Sequence, residues 1–269
     1  MRRSLGGLML IAAAVLVAIS VGMWWLQRVA FTPSSDSGVA HSILGDEEIR
    51  GQVATIVAGA DAAVLGQSPA ELREFIEQIA RIPDGAAVMS EFVGDAHGRL
   101  IGSFDDRVMI TAQEQVNMVR NELVGEASSL TLPVQEVGSI AFVADWLTWA
   151  AVGALGLGVV LALAGIFLRP ERGEGTFALG VLFASTAGSL VIFGYLVPLL
   201  VLPTFADDPW MGVFSRLANH HRNLTLLVAV ACLVVAALIV FGTSSRRERR
   251  QHSTPLNVGR YRDERSWSR

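Results

Sequence analysis

Two groups of residues have the types and spacing to do chemistry. Asp207-Asp208-Pro209-Trp210 is followed closely by His220-His221-Arg222. Carboxylates with imidazoles can hold a metal ion, and imidazoles with a guanidinium can hold an anionic headgroup. Adjacent histidines on a helix point about 100° apart, so they cannot share a metal as an i, i+4 pair can. The plainer reading is an interfacial loop anchored by Trp210 and Phe214. The second group, Arg246, Arg247, Arg249 and Arg250, directly follows a long apolar run. It suits contact with anionic lipid, an attraction of about 1 kcal/mol for each residue near the surface. Phosphorylation of the adjacent Ser253-Thr254-Pro255 would weaken it.

Elsewhere the chemistry is sparse. His97 lies beside an apolar stripe and reads as a hydrogen-bonded, half-buried structural residue, with a catalytic base as the sharper alternative. The pairs Glu47/Glu48 and Asp105/Asp106 read as helix-start and turn residues. No zinc-ligand spacing, phosphate-binding loop, nucleophile elbow or dinucleotide fingerprint occurs. No catalytic residue, metal or cofactor is therefore assigned. Only Tyr261 and Trp267 interleave the basic tail, so nucleic acid is not an expected partner.

The elements that must position these groups are apolar. Hydrophobic residues make up 52% of the chain and charged residues only 17%, with a mean hydropathy of +0.47. That excludes an ordinary soluble enzyme and a disordered chain. The single cysteine, Cys232, permits no internal disulfide. Four uncharged blocks stand out: Leu5–Trp25, Trp146–Leu168, Phe177–Leu202 and Leu224–Gly242. Each is long enough to cross a hydrocarbon core of about 30 Å. The first exceeds the core of a signal peptide and ends in Trp24 and Trp25, so a retained anchor is expected.

All 21 basic residues are Arg, which with abundant Ala, Val and Gly points to a GC-rich bacterial genome and a plasma membrane. Twelve of them flank the N-terminal start, the loop after the second block and the tail, against Arg216 and Arg222 after the third. The positive-inside bias then puts both termini in the cytoplasm and residues 27–144 outside.

The expected layout is an all-α membrane protein. A first transmembrane helix (1–26) precedes an acidic, mainly helical extracytoplasmic domain (27–144). Three further spans (145–243) complete a four-helix bundle, and an Arg-rich cytoplasmic tail (244–269) ends the chain. Between Ala30 and Phe142 there are 17 acidic residues and 6 Arg. Past a Pro/Ser linker at 31–38, helical periodicity predicts four stripes. These are Ile49, Val53, Ile56, Val57, Ala60 and Val64; Leu72, Phe75, Ile76 and Ile79; Met89, Phe92, Val93, Ala96 and Leu100; and Val116, Val119 and Leu123. Ser68-Pro69-Ala-Glu71 and Thr111-Ala-Gln-Glu114 have capping-box spacing, and short extended pieces fit 107–110 and 130–134. The charges coat the outside; solubility is their plain use and docking of a basic partner the alternative.

Within the apolar blocks small residues recur every fourth position: Ala14, Ala18 and Gly22; Ala154, Gly158 and Ala162; Gly180, Ala184 and Gly188. That spacing suits close helix packing, in a bundle or between copies. Ser185, Thr186 and Ser189 are expected to bond back to carbonyls four residues earlier. No ionisable group lies at membrane depth, which argues against a proton-coupled transporter or pump.

The Phe92–Leu100 helix with His97, the Arg107–Thr111 segment and the run into Trp146 resemble a group of uncharacterised actinobacterial integral membrane proteins. The likeness in layout covers nearly the whole chain. It implies one span, a helical outer domain and three further spans, and brings no activity, cofactor or catalytic residue. The function expected is that of a non-enzymatic cell-envelope scaffold or accessory subunit, contacting membrane lipids and a protein partner or further copies of itself. The alternative is a lipid-handling or transport component working at the outer leaflet, with Asp207, Asp208, Trp210, His220, His221 and Arg222 as the contact.

Overall fold

The computed structural model describes residues 2–168 and 173–252. It is overwhelmingly helical, and four of its helices are long and apolar enough to cross a membrane. They are α1 (Arg2–Ala30), α8 (Gly138–Phe167), α9 (Glu174–Val191, continued as π-helix over Ile192–Val201) and α10 (Gly212–His252). These dimensions are compatible with a multi-pass membrane protein.

Every long helix runs past its apolar block. Helix α8 starts at Gly138, so Asp145 lies two turns inside it and does not cap it. Helix α10 starts at Gly212, so His220, His221 and Arg222 sit on its early turns and not in a loop. In α9 the backbone widens to π geometry at the block holding Pro198, whose missing N–H breaks the ordinary i to i−4 ladder.

Helix α1 is the centre of the apolar part. It packs lengthwise against α8 on one side and α9 on the other, and α10 packs on α9. No comparable contact joins α8 to α9 or α10. The spans thus form a row rather than a closed bundle, with α8 held on its flank by α1.

Small residues make the close crossings. A Cβ on Gly158 would meet Val17 and the Ala13 carbonyl, and one on Gly22 would meet Ser189. Ser20 Oγ donates to the Ala151 carbonyl at 2.7 Å, and Gln27 Nε2 to Thr148 Oγ1 at 2.7 Å. The stripe in α9 is used only at Gly180, against Ala236, Ile239 and Val240; Gly188 faces open space. Ser185 and Thr186 donate to the carbonyls of Val181 and Leu182, as their spacing predicts.

Between α1 and α8 lie six short helices: α2 (Ser37–Leu44), α3 (Glu47–Leu65), α4 (Pro69–Arg81), α5 (Pro83–Val88), α6 (Ser90–Leu100) and α7 (Ala112–Val119). A two-stranded antiparallel ladder, β1 (Met109–Ile110) with β2 (Leu130–Thr131), ties the end of this segment together. Two of these helices were not expected. Helix α2 falls partly in the predicted linker and is nucleated by Asp36, whose carboxylate accepts from the N–H groups of Gly38 and Val39. Helix α5 forms over Pro83-Asp84-Gly85, between two of the predicted stripes, and its Gly85 passes the Ile79 carbonyl too closely for any side chain. The Thr111–Glu114 capping box forms in full, whereas Ser68 makes no side-chain cap.

The stripe of α6 is buried throughout, from Met89 to Leu100. In α3 the buried face is rotated: Ala54, Ala58 and Asp61 are inside, and Val64 is exposed. The core these helices enclose does not stop at the spans. It includes Leu26 and Ala30 of the first helix, Phe31 just beyond it, Leu147 of α8, and Trp210, Val213, Phe214 and Leu217.

Candidate functional site

An open cleft of about 1260 Å³ lies where α3 and α4 meet the 203–216 segment. Its walls carry Asp46, Glu47, Glu48, Asp207 and Asp208, with Arg73 and Arg216 as the cations. The local sequence explains the placement. Asp46 is the N-cap of α3, accepting from the Glu48 N–H at 3.1 Å, and Glu47 and Glu48 favour the positive end of that helix. Asp46 Oδ2 also accepts from Arg216 Nε at 3.2 Å. This approach depends on Gly212, where a Cβ would stand 2.9 Å from the same oxygen.

Asp208 caps the short 3-10 turn Pro209–Met211 by accepting from the Trp210 N–H at 2.8 Å. Trp210 is not an interfacial anchor. It is 0% exposed, and its indole N–H donates to Gln52 Oε1 of α3 at 2.8 Å. A buried indole needs such an acceptor, and this one fastens the 203–211 segment onto α3. Phe214 is likewise fully buried, against Phe31 and the edge of His97.

Asp46 and Asp208 are thus committed to holding the walls, and Arg73 is paired with Glu77 at 2.9 Å. Glu47, Glu48 and Asp207 carry no ion pair among the described residues and face the opening with uncompensated negative charge. The arrangement can attract a cation or a basic group. No three His, Cys, Asp or Glu side chains converge on a metal-sized point among the described residues.

The aspartates and histidines of the predicted constellation do not meet. Asp207 and Asp208 line the cleft, while His220 and His221 turn to other helices. The His220 ring lies beside Gly38 of α2, and the two imidazoles pack edge to face with centroids 4.9 Å apart. His221 lies within electrostatic reach of Arg28 on α1, outside the predicted constellation. The signal for Arg28 was present: it is the first charge beyond one apolar run, as Arg222 is for another. Arg246, Arg247, Arg249 and Arg250 continue α10, beyond the described side chains, and Ser253-Thr254-Pro255 lies outside the described residues.

Two buried ionisable groups sit away from the cleft. His97 is 1% exposed, and its Nε2 lies 2.9 Å from the Ala30 carbonyl. That acceptor selects the tautomer whose Nε2–H donates, so the ring caps the last turn of α1. Burial pulls its pKa down to about 4, against a smaller upward push from the Ala30 bond. The ring is neutral at physiological pH and fully buried, beyond the half-burial expected. Asp61 is 1% exposed with Oδ2 unpartnered, and burial pushes its carboxyl above the usual range.

The fold and cleft thus describe a helical chain with four potential spans and a shaped acidic opening beside their ends. No family model, curated protein or solved structure matches it.

Proposed function

We propose that this is a non-enzymatic cell-envelope membrane protein, an accessory subunit or scaffold that binds a partner carrying basic groups through the 46–48/207–208 cleft. Both termini are cytoplasmic in this reading, and residues 27–144 are extracytoplasmic. The observation that carries it is the cleft itself: a preformed opening whose free charges are Glu47, Glu48 and Asp207. The rigid wall supports it too, because Trp210 and Asp46 lock the 203–216 segment to α3. A docking face so built costs little ordering on binding.

The test is cross-linking in intact cells with a cytoplasmically tagged full-length chain, followed by mass spectrometry. A stoichiometric partner cross-linked near residues 46–56, and lost in E47Q/E48Q/D207N, is expected. Recovery of the same partner by that triple variant would overturn the cleft as the docking face. Recovery of nothing but lipid and monomer would overturn the accessory-subunit reading.

A further inference from the structure

We infer that Arg28, His221 and His220 form a site for a phosphate-bearing anion, held at the level where the apolar stretches of α1 and α10 end. The geometry is a ladder. Trp25 Nε1 donates to Thr225 Oγ1 at 3.0 Å, joining the two helices, and the Trp25 ring lies against Gly194 of the π-helical stretch. The helices run antiparallel, so one turn further along brings residue 28 of α1 to the level of residue 221 of α10. An electrostatic influence of Arg28 on His221 agrees with that shared level, and the edge-to-face contact of the two imidazoles brings in His220.

Three features point to an anion. First, the Arg28 guanidinium is a permanent charge with no ion-pair partner among the described residues. Nor do His220, His221 or Arg222 form an ion pair among the described residues. Asp36, whose Oδ1 lies near the same Gly38 as the His220 ring, accepts there from the Gly38 and Val39 N–H groups. Second, the level is right. No charge occurs from Leu5 to Leu26 or from Leu224 to Gly242, so Arg28 and His221 flank the ends of two apolar stretches on the same side. A lipid phosphate sits at that depth. Third, Trp24, one helical turn before Arg28, is 53% exposed, and Leu224 and Leu227 are exposed on α10. An amphipathic indole below a guanidinium matches a headgroup above an acyl chain. An imidazole offers a ring N–H donor in either charge state, and Arg28 supplies the permanent charge.

Full-length protein in nanodiscs tests this by native mass spectrometry, counting retained phosphatidylglycerol against phosphatidylcholine of matched chains. Wild type should favour the anionic lipid, with Arg28 contributing about fivefold. R28Q/H221Q should lose that preference, R28K should keep it, and R107Q, an equal charge loss elsewhere, should leave it intact. A parallel arm adds inorganic phosphate to phosphatidylcholine nanodiscs and follows thermal stability. Stabilisation by phosphatidylglycerol alone assigns the site to a headgroup. Stabilisation by inorganic phosphate that R28Q/H221Q abolishes assigns it to a free anion. The inference is overturned if R28Q/H221Q retains the wild-type lipid ratio, if R107Q lowers it equally, or if neither anion stabilises the wild type. Partner recovery by the cleft variant is a separate readout, so either idea can fail alone.

Discussion

Acid should loosen this protein through His97 before it protonates most carboxylates. The ring is buried, neutral and bonded to the end of α1, with its pKa near 4. In the unfolded chain a histidine titrates near 6.5. As pH falls below about 6.5 the unfolded state takes up the proton and the folded state does not, so stability drops. The contribution is whole above 6.5 and exhausted once the folded ring also protonates, near 4. At about 1.4 kcal/mol for each unit over roughly 2.5 units, the total loss is about 3 kcal/mol. Against a typical margin of about 5–15 kcal/mol, that is a large share. The assay is denaturant unfolding of the full chain in a fixed detergent, at intervals from pH 7.5 to 4.5, comparing wild type with His97→Gln. Glutamine retains an N–H donor for the Ala30 carbonyl but cannot titrate. The wild type should lose stability steeply between pH 6.5 and 5, and the variant should show a flatter profile from a lower starting point. Since every other group is common to both proteins, the difference isolates His97. Coincident slopes, or a His97 ring resonance titrating near 6.5, would refute the reasoning.

Asp61 should behave in the opposite sense. Its carboxyl is raised by burial, so as pH climbs past 3.8 the unfolded chain ionises first and the folded state is penalised. Asp61→Asn should therefore raise the unfolding midpoint at pH 7 and steepen the loss of stability on acidification, which the buried carboxyl partly offsets; a lower midpoint at pH 7 would sink this account. The segment 32–137 alone should not fold cooperatively, since it lacks Ala30, Leu147, Trp210, Phe214 and Leu217 from its core. Far-UV circular dichroism during heating checks this, and a sharp two-state melt of the isolated segment would contradict it.

What the sequence made legible follows from the range of each signal. Four apolar runs longer than 18 residues have one physical use, so the spans could be read directly. The α6 stripe could also be read, because Phe92, Val93, Ala96 and Leu100 lie on one face at helical spacing. Span ends were misplaced because Asp145 breaks the hydropathy of α8 without breaking its helix, and the helix begins at Gly138. Asp61 went unnoticed within an Ala-rich stretch, where a rotated stripe leaves no trace in composition. The candidate site was half visible. Asp207 and Asp208 stood out as residues, yet their neighbours Asp46 to Glu48 lie some 160 positions earlier. Trp210 after Pro209 carries the local marks of an interfacial belt. Only its bond to Gln52, 158 residues away, makes it a core residue.

These long-range pairings share one consequence. His97 caps α1, Trp210 binds Gln52, and Arg216 of α10 holds Asp46. Each joins a long helix, or the segment leading into it, to the short helices between α1 and α8. The cleft is built from both sides of that junction, with α3 forming one wall and the 203–216 segment the other. A shift of α10 against α1 would move Arg216 relative to Asp46 and change the opening. The Trp25–Thr225 bond resists that shift, and an anion shared by Arg28 and His221 would resist it one turn further out. Lipid bound at the span ends and a partner bound in the cleft would then favour the same helix arrangement, the condition for one to affect the affinity of the other.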